Sequence, residues 1–101
     1  MQVKVLYFED CPNWTLARQR LGDALADAGL TDTVEVSYQT VDTPEEAERV
    51  GFRGSPTILV DGRDPWAGDD GPVGLSCRIY RTEHGPEGSP SAAQLALALS
   101  A

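Results

Sequence analysis

The chain has 101 residues, 41% of them apolar, with sixteen acidic side chains against eight basic ones and a net charge of −8. That size suits one domain, residues 1–101, around one core, and no run of about 18 apolar residues could span a bilayer. Cations so few and scattered make no basic patch, which argues against nucleic acid and anionic membrane as partners.

Met1-Gln2-Val3-Lys4 leads directly into a strand-like pattern, without the basic segment, apolar run and cleavage site of a secretory signal. The two cysteines, Cys11 and Cys77, are too sparse for a secreted disulfide framework. A cytoplasmic protein with reduced thiols is therefore expected. Seven of the eight cations are Arg, and with many Ala and Gly residues this fits the codon bias of a GC-rich bacterial genome such as an actinobacterium's.

Residues 2–8 are apolar on both faces beyond their first positions, the pattern of a central strand covered on both sides. Trp14, Ala17, Leu21, Ala24, Leu25 and Ala28 then recur at helical spacing. Pro12 fits the first turn of that helix and Gly29 its C-terminal stop. Residues 33–41 alternate, with Val34, Val36 and Tyr38 on one side, and predict a half-buried edge strand. Thr43-Pro44-Glu45-Glu46 carries a cap, a proline at the first position and an acid at the third, and starts a short helix that ends near Val50-Gly51.

Thr57-Ile58-Leu59-Val60 reads as a compact strand stopped by Asp61-Gly62. Residues 61–76 form a loop rich in Gly, Asp and Pro, long for a small domain. Residues 77–81 read as a last strand, with Arg78 and Arg81 marking an exposed edge. Residues 82–90 form a polar turn. Ser89 or Ser91 caps a final helix that turns Ala92, Leu95, Ala96 and Leu99 inward. The order is β-α-β-α-β-β-α, with the first two strands parallel across a right-handed crossover and the last two antiparallel.

Cys11 falls between the first strand and the first helix, at the carboxyl end of a strand, where reactive groups gather in open α/β sheets. There a thiol faces solvent, and the helix end favours its nucleophilic thiolate form. Glu9 and Asp10 oppose this by like charge, so the thiol pKa is placed near or modestly below the free value of about 8.5. Gly54-Ser55-Pro56-Thr57 opens the third strand, where a proline is sterically allowed and a cis peptide is a deliberate feature.

Two segments, Val5-Leu6-Tyr7-Phe8-Glu9-Asp10-Cys11-Pro12-Asn13-Trp14 and Gly51-Phe52-Arg53-Gly54-Ser55-Pro56-Thr57-Ile58-Leu59-Val60-Asp61-Gly62, resemble the thioredoxin superfamily in its minimal, glutaredoxin-like form. The resemblance covers most of the chain. It implies an α/β thioredoxin-like fold, a four-stranded mixed sheet with helices on both faces. It further implies a cis Pro56 packed against Cys11, and an exposed Ser55 backbone that binds a thiol-bearing peptide or small thiol. The catalytic thiol is then Cys11, with Ser55, Pro56, Trp14 and Pro12 binding the substrate, and no cofactor or metal.

The departure from the family is Trp14, which stands where the second cysteine of the Cys-x-x-Cys pair belongs. No local disulfide can form, so a monothiol route remains: Cys11 pairs with a small thiol, or uses Cys77 as resolving partner. Thr82-Glu83-His84-Gly85 replaces the Gly-Gly-x-Asp of glutaredoxins, which disfavours glutathione and, given the genome hint, favours mycothiol. In the expected topology Cys77 starts the returning strand about 15 Å from Cys11, some five residues at the strand rise and beyond the 7 Å or so that a disulfide tolerates. Cys77 is then a small structural residue.

The remaining residues have plain readings beside sharper ones. Cys11 is a working thiol or a retired active site kept as a helix start. Trp14 covers core or shields Cys11 and stacks on substrate. Trp66 anchors the long loop or acts as a lid. His84 is a solvated turn residue, since no Cys or His pair has metal-ligand spacing. Glu45, Glu46 and Glu48 are helix N-terminal charge.

Three functions follow: a thiol–disulfide or thiol-transfer protein acting through Cys11 on a small-molecule thiol or a protein mixed disulfide; a non-catalytic binding module of the same fold; and soft-metal or organomercurial capture, which needs Cys11, Asp10 and Cys77 together.

Overall fold

The computed structural model describes residues 1–67 and 74–100, so the middle of the expected 61–76 loop lies outside the described residues. The chain runs β1 (Gln2–Tyr7), α1 (Asn13–Ala28), β2 (Glu35–Thr40), α2 (Pro44–Val50), β3 (Thr57–Val60), β4 (Tyr80–Thr82), β5 (Gly85–Glu87) and α3 (Ala92–Ser100). Among the described residues no helix is long and apolar enough to cross a membrane.

β1 is central. It pairs parallel with β2, Val3 opposite Val36, and antiparallel with β3, Val5 opposite Ile58. Alternation along β1 sends Val3 and Val5 to one face and Leu6 to the other. α1 and α3 cover the first face, where Val3, Val5, Ala17, Leu21, Ala24, Ile58, Leu95 and Leu99 form the larger core. α2 covers part of the second, where Leu6, Val41, Ala47 and Phe52 pack with Phe8, Val50 and Leu59.

The helix boundaries have local causes. Thr43 Oγ1 accepts from Glu46 N at the start of α2. Gly29 and Gly51, both at φ 69, close α1 and α2 in the left-handed conformation that glycine adopts without a Cβ clash. Of the two serines considered for α3, Ser91 is the cap: its Oγ accepts from Gln94 N, and Gln94 Oε1 accepts from Ser91 N. This is a reciprocal capping box. Pro12 occupies the N-cap of α1, one position before the first turn.

Among the described residues the expected four-stranded sheet does not form. The chain makes a three-stranded mixed sheet, β2-β1-β3, and a separate two-stranded sheet, β4-β5. The cause lies just after β3. Val60 and Arg63 exchange backbone bonds across the Asp61-Gly62 turn, at 2.7 and 3.1 Å, but the pairing stops there. Asp64 Oδ1 accepts from Trp66 N and turns the chain away.

When the chain next meets the sheet it does so at the opposite end of β3 and in the opposite sense, as a parallel bridge between Cys77 and Ser55. β4 therefore begins only at Tyr80, past the edge of β3, and pairs with β5 instead. β5 falls inside the expected 82–90 turn, behind the residues Glu83 and His84, with Gly85 at φ 100.

Candidate functional site

The end of β1, the residues before β3 and the segment around Cys77 converge at one edge of the sheet. Cys11 and Cys77 are joined as a disulfide with their Cα atoms 5.9 Å apart, within the usual reach of such a bond. This corrects the separation of about 15 Å expected from an antiparallel return. Cys77 lies beside the start of β3 and not at its far end.

Ser55 is the hub of the site. Its N–H donates to Ser76 O at 2.7 Å, and its carbonyl accepts from Arg78 N at 2.9 Å. Its Oγ accepts from Phe8 N at 3.3 Å, which ties the site to the end of β1. Cys11 Sγ lies 3.6 Å from the Ser55 carbonyl oxygen. Ser55 is 0% exposed, so the free backbone edge expected there is occupied, and its occupant is this chain's own segment 76–78. The Ser55–Pro56 peptide is cis, and the Pro56 carbonyl accepts from the Tyr80 hydroxyl.

The two sulfur-bearing residues differ in environment. Cys11, expected to face solvent, is 0% exposed, whereas Cys77, with Leu75 and Ser76 before it, is exposed.

Arg78, expected on an open edge, is 4% exposed. Its guanidinium donates to Asp64 Oδ2 at 2.7 Å and to the Trp66 carbonyl at 2.9 Å, and lies over the Tyr80 ring at 4.6 Å. A fixed planar fork meeting a carboxylate, a carbonyl and an aromatic face is what Arg satisfies and Lys does not. The close fit also explains Gly54: a Cβ there would lie 2.9 Å from the Arg78 Cβ, on a backbone already at φ 120. Sequence reasoning missed the Arg78–Asp64 pair, because the partners stand fourteen positions apart in an aperiodic stretch of sequence.

Trp14 stacks on Tyr7 with ring centroids 4.4 Å apart and meets Tyr38 edge-on at 6.3 Å. Burial raises the Tyr38 pKa, and Arg18 opposes that rise. Pro12 is exposed. Trp66 packs on the larger core and edge-on against Tyr80 at 5.8 Å, which makes it the anchor of the segment after β3. The His84 side chain is 71% exposed in the β4–β5 turn.

A hollow of about 210 Å³ lined by Phe8, Glu9, Asp10, Asp42 and Leu75 adjoins this edge. It combines an apolar floor with three carboxylates. A larger one, about 570 Å³, lies over the part of the second face that α2 is too short to cover, among Gln2, Lys4, Glu35, Val36, Ser37, Leu59 and Gly62. That hollow sits at the far end of β1 from Cys11. Among the described residues no group of three or more His, Cys, Asp or Glu converges to hold a metal ion. The sulfurs needed for organomercurial capture do meet, but Asp10 makes no such group with them.

Set against known protein families, curated proteins and solved structures, the chain matches none.

Proposed function

We propose that the chain works by thiol–disulfide exchange, cycling between the Cys11–Cys77 disulfide and a dithiol, with a small-molecule thiol or a protein mixed disulfide as its partner. One observation carries this reading: the bond joins the residue at the strand-to-helix junction to an exposed residue on a segment docked by polar contacts, the backbone bonds at Ser55 and Phe52 and the Arg78–Asp64 pair, and not by apolar core. Such a segment is free to accept attack on its sulfur without dismantling the core.

A cytoplasmic setting belongs to the proposal, since a disulfide in a reducing compartment is usually transient and catalytic or sensing. Kinship with the thioredoxin superfamily belongs to it too. It is supported by Cys11 ahead of α1 and Ser55-Pro56 ahead of β3, and not by a four-stranded sheet.

The test is equilibration of the folded protein with thiol buffers. A working pair is reduced without denaturant, shows a potential above about −300 mV, and in the dithiol form reduces a small disulfide such as 2-hydroxyethyl disulfide.

A second reading, a binding module stapled by a structural disulfide, is favoured by the 0% exposure of Cys11. It requires a potential below about −300 mV and reduction only on unfolding.

A further inference from the structure

Exchange at the Cys11–Cys77 bond leaves open which sulfur the partner meets, and the two are not equivalent. We propose that Cys77 is the sulfur attacked by an incoming thiol, while Cys11 serves as the leaving and resolving thiol. This assignment rests on the exchange reading above and reverses the roles implied by the sequence resemblance.

Geometry separates the two sulfurs. A thiolate displaces one sulfur of a disulfide by approaching the other in line, from the side opposite the bond that breaks. In-line approach to the Cys77 sulfur comes from beyond Cys77, where Leu75, Ser76 and Cys77 itself are exposed. In-line approach to the Cys11 sulfur would have to come through the interior, where Cys11 and Ser55 are 0% exposed, Pro56 is fully buried, and the Ser55 carbonyl oxygen lies 3.6 Å from the sulfur.

The first step forms a bond between the incoming sulfur and Cys77 Sγ and breaks the Cys11–Cys77 bond. The electron pair leaves on Cys11 as a thiolate, which takes up a proton from solvent. The resulting S–H has the Ser55 carbonyl oxygen within reach as acceptor. A second thiolate attacks the incoming sulfur held on Cys77, which releases the small disulfide and leaves Cys77 as a thiolate. Two thiols are oxidised and one protein disulfide is reduced.

In the other direction, the Cys77 thiolate attacks a substrate disulfide, and Cys11 then attacks the Cys77 sulfur and expels the remaining thiol. The bonds from Ser55 N–H to Ser76 O and from Arg78 N–H to Ser55 O hold the backbone on both sides of Cys77. They keep the mixed disulfide beside Cys11 between the two steps.

Two measurements on the full chain test the assignment. The Cys11→Ser variant, which keeps Cys77, should react with 2-hydroxyethyl disulfide at least about tenfold faster than Cys77→Ser, which keeps the buried thiol, because access limits thiol reactivity. Oxidised wild type treated with 2-mercaptoethanol, quenched in acid and mapped by mass spectrometry should carry the adduct on Cys77. This second measurement decides alone if either variant fails to fold. An adduct on Cys11, or a faster Cys77→Ser variant, overturns the assignment while leaving exchange intact. No adduct and a surviving disulfide in the folded protein overturn exchange and the assignment together.

Discussion

The sheet face beneath α1 and α3 and the edge at Ser55 lie a few residues apart along β1 and β3, yet they are held by different forces. The face is apolar throughout, with Val5, Ala17 and Ile58 all 0% exposed, and burial of that surface is indifferent to redox state or pH. The edge is held by one covalent bond and by polar contacts: backbone hydrogen bonds at Ser55 and Phe52, the Arg78–Asp64 pair and the bond from Arg78 to the Trp66 carbonyl. The first kind of region fails all at once. On the proposed exchange reading, the second opens by chemistry while the first stays folded.

The largest expected effect tests whether the edge stabilises the whole molecule. The disulfide spans a sequence separation of 66, and the loop-closure entropy it removes from the unfolded chain is about 4 kcal/mol. Cys77→Ser should lose up to that much in denaturant titration while keeping the wild-type circular dichroism. A variant that is unfolded in buffer would erase the distinction between the two regions. Leu21→Ala, in the core beneath α1, should cost about 3 kcal/mol and leave the reduction potential unchanged. A shifted potential would show that the core and the edge are coupled.

Asp64→Asn leaves the buried Arg78 guanidinium without its carboxylate and should cost about 3 kcal/mol, the lower end of what breaking a buried ion pair costs. It should also speed reduction of the disulfide by loosening segment 76–78. An unchanged rate would mean that the pair does not restrain Cys77.

A smaller effect concerns acid. Hydrogen bonds from Arg20, then from Thr82, hold the Glu87 pKa below the usual carboxylate value. Glu83 is lowered first by its own backbone N–H and then by the Ser91 hydroxyl. With folded values depressed, both contribute stability above the unfolded pKa of about 4.3 and lose it as pH falls through the folded values. Glu87→Gln should flatten the decline in stability below about pH 4.3. An unchanged acid profile would remove Glu87 from the account.

The smallest effect is charge selection. Glu9, Asp10 and Asp42 line the hollow at this edge, so cysteamine should reduce the disulfide a few-fold faster than 2-mercaptoethanesulfonate in dilute buffer, a difference that about 1 M salt abolishes. Equal rates would mean that the carboxylates stand too far from the path of attack.

How much of this was legible depended on periodicity. β1, α1, α2 and β3 announce themselves through alternation, helical spacing, the Thr43 cap and the terminal glycines, and the structure has all four close to their expected bounds. The path after Val60 has no such pattern. A turn at Asp64 and a parallel return to Ser55 are set by a carboxylate meeting a guanidinium and a sulfur meeting a sulfur, and neither partnership leaves a local trace in sequence. β5, Gly85–Glu87, is three residues with a proline at its centre, too short to alternate. Cys11 was found by its place ahead of α1, but its burial and its partner both depended on the illegible segment.

The bond between Cys11 and Cys77 makes a covalent ring that encloses α1, β2, α2 and β3, with β1 and the three last elements outside it. Pulled by its two ends, the oxidised chain can pay out only the lengths before the first cysteine and after the second. Breaking the bond adds about 230 Å of contour, from 66 residues at roughly 3.5 Å each when fully extended. In a force-extension trace of a single molecule, the oxidation state would thus be written as a length.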